Sequence, residues 1–161
     1  MEARLIALKL FLKELGVELD ISKFGDRIRI QKSVYLGQLS GVDLGYRYSW
    51  YLRGPYCPSL TRDYYELTEA IASGDRTFEG KSFGESVRKR LKKIRPLLKP
   101  PKEVGLKQDE WLELVSCIHF LRFESRYSKR QAEDFLKKEK SHLAVFIEFA
   151  ENALESSGFS K

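Results

Sequence analysis

The residues able to do chemistry in this chain are few and scattered. There are two cysteines, Cys57 and Cys117, and two histidines, His119 and His142. A thiolate beside an imidazole would be a nucleophile with its base, but only the fold could bring Cys117 to His142, and no spacing recommends the pair. His119 stands two residues from Cys117, yet no further ligands follow at the spacing a zinc site requires, so no metal is expected. Neither a GxxxxGK[ST] loop nor a GxGxxG turn is present to cradle a phosphate. With no catalytic signature and no cofactor implied, the expectation is a non-enzymatic binding protein.

Binding chemistry is better represented, above all by charge. The formal net charge is +6, and it is unevenly placed. Residues 81–107 hold ten Lys/Arg against two Asp/Glu, while the 80 residues before them are balanced and the remainder is slightly acidic. Such a cluster gains counterion-release free energy on a phosphate backbone, which points to DNA or RNA as partner. Arg88, Lys89, Lys92, Lys93 and Arg95 are the expected phosphate contacts, positioning rather than reading sequence.

A second segment, Tyr46 to Tyr65, interleaves rings with guanidinium groups and could stack on bases. Tyr48, Trp50 and Tyr64 are expected in the core, whereas Arg47, Tyr51 and Arg53 fall on the alternate face, with Tyr56 beyond them as a further stacking or partner residue. Gln31 and Lys32, with Arg27 and Arg29, form a smaller polar patch expected on the exposed side of a helix, as part of the same partner surface.

The elements that must position these groups follow from periodicity. Leu5, Leu8, Leu12 and Leu15 at helical spacing predict a first helix ended by Gly16. A second helix is expected over about 27–39, followed by a strand over 46–52, where alternation has a period of two, stopped by Gly54-Pro55. A third helix is expected over 58–72, then a polar loop with a possible second strand near Thr77-Phe78. Val87, Leu91, Ile94 and Leu98 make one stripe of a basic helix that Pro96 should kink or end. The last third reads as helical, including a capping box at Ser128-Lys129-Arg130-Gln131.

RIRIQKSVYL at 27–36 followed by GYRYSWYLRGPY at 45–56 resembles the YwgA-like family of prokaryotic proteins, with the apolar-rich LELVSCIHFL at 112–121 continuing the pattern. More distantly, a Gln-Lys helix leading to an aromatic segment and a Gly-Pro turn resembles the Panacea domain of SocA-like antitoxins, which neutralise partner toxins. The segment before Gly-Pro departs from that domain in reading Tyr51-Leu52-Arg53. The resemblance implies a module of regulation or genome defence with partial winged-helix character; it does not imply an enzyme.

The length of 161 residues, with 42% hydrophobic and 32% charged, fits one folded domain over 1–161 and excludes a disordered tail. The expected fold is mainly α with a short β-hairpin or wing, a helical bundle of winged-helix-like character. The start, MEARLIALKLFLKELG, reads as an amphipathic helix and not as a signal peptide. No apolar run reaches the ~20 residues of a membrane span, and cysteine usage fits a reducing cytoplasm. The leading expectation is a regulatory or defence module that binds nucleic acid through the basic helix. Its rival is an antitoxin-like or scaffold module that binds a protein, and a homodimer is compatible with either.

Overall fold

The computed structural model describes residues 1–159. It is mainly helical, with one two-stranded antiparallel sheet among the described residues. Helix α1, Ala3–Leu15, buries Leu5, Leu8, Phe11, Leu12 and Leu15, and Gly16 ends it in the left-handed region at φ +72°. Helix α2, Phe24–Gln38, begins three residues earlier than periodicity suggests. The reason is a cap: the Asp26 carboxylate accepts the Lys23 backbone N–H at 3.2 Å, satisfying a donor at the helix start.

Helix α2 is the axis of the molecule. It packs against α1 and, across its other faces, against the later helices α4 (Glu85–Ile94) and α5 (Gln108–His119) and the hairpin. From Ile30 to Gly37 every side chain is buried. A helix surrounded in this way has no solvent face, so the expectation that Gln31 and Lys32 lie on an exposed side is corrected: both are only 1% exposed.

The hairpin also departs from the expected pattern. Strand β1 is only Ser49–Tyr51, because the Gln38 side chain holds the chain before it, accepting from the N–H of Leu44 and Tyr46 and donating to the Tyr46 carbonyl. Gly54-Pro55 does not stop the sheet but opens β2, Gly54–Tyr56, with register Ser49↔Tyr56, Trp50↔Pro55 and Tyr51↔Gly54. Alternation along an antiparallel ladder puts Pro55 at a non-hydrogen-bonded position, where its missing N–H costs nothing. The suggested strand near Thr77-Phe78 is instead a turn, in which Asp75 accepts from the Thr77 N–H at 2.9 Å.

Helix α3 spans Pro58–Ala72 and the basic helix α4 spans Glu85–Ile94. Pro96 ends α4 as expected, diverting the chain into a 3-10 turn over Arg95–Leu98. Helix α5, Gln108–His119, continues through a π turn over Phe120–Glu124. Ser128 caps α6, Lys129–Glu139, by accepting from the Gln131 N–H at 3.1 Å, and Gln131 returns the bond to the Ser128 N–H. Helices α7, Ser141–Ala144, and α8, Ile147–Ser156, are the last elements of the described residues. One core runs from Leu5 to Leu154, with Trp111 fully buried and its indole donating to the Leu97 carbonyl at 2.9 Å.

Candidate functional site

The leading candidate site is a groove of about 410 Å³ between the start of α2, the hairpin tip and the first turns of α3. Helix α2 contributes Phe24, Arg27 and Ile28; the hairpin contributes Tyr51, Leu52, Arg53 and Tyr56; α3 contributes Thr61, Tyr64 and Tyr65. Gln31 and Lys32 also border it. Phe24 is flanked by two guanidinium groups, Arg53 at 5.4 Å and Arg27 at 6.0 Å from the ring centre. Among the described residues, no Asp or Glu lines the groove.

The Gln-Lys pair anchors the outer edge of β2. Gln31 accepts the Cys57 N–H at 3.0 Å and donates to the Cys57 carbonyl at 2.9 Å, occupying the place of a neighbouring strand. The same amide donates to the Thr61 hydroxyl at 2.9 Å, tying α3 to the hairpin. Two residues away on the same edge, Lys32 Nζ donates to the Pro55 carbonyl. These outward-pointing groups of Pro55 and Cys57 would otherwise be buried without partners.

Beneath the hairpin lies a small ionic cluster. Glu113, 3% exposed, receives Lys140 at 2.8 Å and Arg53 at 3.5 Å, and Lys140 also donates to the Leu52 carbonyl at 3.2 Å. Burial pulls the Lys32 ammonium down to about 8, a fall that nearby Cys117 and Glu113 partly oppose. Burial likewise pushes the Cys117 thiol up to about 12, far from a reactive nucleophile. His142 is exposed, and His119 is buried with Nδ1 2.8 Å from the Tyr35 hydroxyl, its basicity lowered to about 4 by burial. Among the described residues, no three His, Cys, Asp or Glu side chains are placed to hold a metal ion together.

The basic helix occupies another part of the surface. Leu91 and Ile94 of α4 are buried and its cations point outward, some already engaged. Arg88 pairs with Glu14 at 3.1 Å, Lys89 with Glu85 at 3.4 Å, and the Arg95 guanidinium lies against Gly16. Lys92 and Lys93 are exposed and have no carboxylate within ion-pair distance among the described residues. Arg90 lies over Gly41, just beyond the end of α2, and Arg47 pairs with Asp43 at 3.0 Å two residues further on.

Arg47 and α4 therefore belong to the C-terminal end of α2, while Arg53, on Phe24, belongs to its N-terminal end. The helix between them is roughly 20 Å long at ~1.5 Å per residue. Tyr51 and Tyr56 fall together in the groove, their rings 5.5 Å apart. Tyr64 is in the core, and Tyr48 and Trp50 are half-buried against it.

Two contributors had no sequence signal in their favour. The Glu113–Lys140 pair joins residues 27 apart, and Phe24 precedes the stretch whose periodicity marked the helix. Comparison with family models, curated proteins and solved structures found no match to this chain.

Proposed function

We propose that this protein is a non-catalytic binding module whose working surface is the groove, and that its partner is another protein. One observation carries the reading. Of the seven large apolar side chains that stand exposed among the described residues, four, Phe24, Tyr51, Leu52 and Tyr65, meet in this groove. Apolar side chains scattered singly over a surface need no explanation, but their convergence in one concavity with Tyr and Arg is the composition of a protein interface core. The resemblance of the Gln-Lys helix, aromatic segment and Gly-Pro turn to antitoxin-like domains points the same way, to a regulatory or defence role exercised on a partner.

A photo-crosslinking amino acid at Leu52, which is 76% exposed, tests this in the cell of origin. Protein adducts are expected from position 52, lost when Tyr51 and Tyr65 are both changed to Ala, and absent from a probe at Lys92. Equal adducts from both positions, or none from 52, would sink the reading.

The free cations of α4 favour a second function, association with nucleic acid. Lys92 and Lys93 provide the cleanest test, because reversing Arg88 would also set a carboxylate against Glu14. Affinity for duplex and single-stranded DNA and RNA should fall with rising salt and with Lys92→Glu and Lys93→Glu together. Affinity indifferent to both would remove the idea. Both cysteines are buried and free, which suits a reducing compartment such as the cytoplasm. No helix among the described residues is long and apolar enough to cross a membrane.

A further inference from the structure

We infer that the groove takes a short acidic segment of the partner protein, with its carboxylates on Arg27 and Arg53 and its apolar side chains among Tyr51, Leu52 and Tyr65. This rests on the protein-docking reading and adds the chemistry of the occupant. The charge pattern selects it. Both cations flank Phe24 at the groove, and among the described residues no carboxylate lines the groove to neutralise them.

Arg27 donates to the Ile21 carbonyl at 2.7 Å and has no carboxylate within ion-pair distance among the described residues. Arg53 does touch one, Glu113, but at 3.5 Å, while Lys140 holds the other oxygen of that carboxylate at 2.8 Å. The buried negative charge is thus answered by Lys140 from within, and Arg53, with a side chain 51% exposed, retains charge to offer outward. Two guanidinium forks beside aromatic faces suit paired carboxylates better than an isolated ammonium would.

Nucleic acid is the less fitting occupant. A single strand needs a row of cations tracking its phosphates beside its stacking platform. Here the cation-rich element is α4, at the far end of α2, and the groove wall carries the aliphatic side chains of Ile28 and Leu52.

Selection of a random twelve-residue phage-displayed peptide library on the folded full chain tests the inference. Parallel selections would use the Arg27→Gln/Arg53→Gln and Tyr51→Ala/Tyr65→Ala variants, each checked by circular dichroism. The expected result is enrichment of peptides with net negative charge and aromatic or aliphatic residues, whose affinity by fluorescence anisotropy falls about tenfold or more in the arginine variant, the loss of charge-assisted bonds. Lys92→Glu should leave that affinity unchanged. Neutral peptides that bind the arginine variant equally well but fail on the tyrosine variant would overturn the acidic occupant and leave protein docking standing. Enrichment unaffected by either variant, or displacement of every peptide by oligo(dT), would overturn both. A dimer in sedimentation that the tyrosine changes dissociate, with no peptide enriched, would assign the groove to a second copy and overturn the inference.

Discussion

Gln31 shows how one side chain can stand in for a strand. Its amide meets both backbone groups of Cys57 and the Thr61 hydroxyl, so three elements depend on it. Replacing it by Leu keeps much of the volume but leaves a buried N–H and a buried carbonyl unanswered, at ~1–3 kcal/mol each. Gln31→Leu is therefore expected to lose about 2–6 kcal/mol in urea unfolding. A loss below about 1 kcal/mol for Leu would mean that the hairpin does not depend on this contact. The sequence showed a polar pair on a helix and suggested an exposed patch. Which polar residues face a neighbouring backbone is decided by the chain packed beside them, and the Cys57 groups that Gln31 meets lie 26 residues away.

At the scale of elements, local rules were legible wherever a signal was contained within a few residues. The Gly16 terminator, the Pro96 stop and the Ser128–Gln131 box all act through neighbours in sequence, and all three are observed. The hairpin was half legible, because period-two alternation marked β1 while Gly54-Pro55 resembled a terminator. Gly54 belongs in the sheet for a reason no local pattern holds: its φ is +93°, and a Cβ there would lie 2.5 Å from Cys117 Sγ on α5. Gly54→Ala should therefore cost more than the ~1 kcal/mol of backbone strain alone. The excess should shrink when Cys117→Ala removes the sulfur. A double-mutant cycle in urea measures this coupling, and strictly additive losses would count against the contact.

For the whole molecule, two groups, the half-buried Glu151 and the buried His119, pull stability in opposite directions as pH changes. Burial, reinforced by Glu133, raises the Glu151 carboxyl from its ordinary 4.5 to about 7. Its contribution to stability is full below 4.5 and is lost as pH rises through 7. His119 is lowered from 6.5 to about 4, so its contribution is full above 6.5 and is lost as pH falls through 4. Between about 4.5 and 6.5 the two slopes oppose each other. Glu151→Gln should remove one of them, leaving a variant whose stability climbs more steeply with pH across that window than the parent's. Urea midpoints at half-unit steps check this, and parallel curves would exclude Glu151 as a linked group. Net charge and helical content were legible for the chain as a whole; the burial that shifts these two groups was not, since it requires the packed helices.

The close approach of Gly54 to Cys117 also makes the protein its own clock. With the thiol enclosed and held far from ionisation, an alkylating reagent can react only during excursions in which the hairpin lifts from α5. In a Cys57→Ser background, the labelling rate of Cys117 should report the frequency of those excursions. Anything bound across the hairpin tip and α3 would slow it, so occupancy of the groove could be timed before the occupant is known.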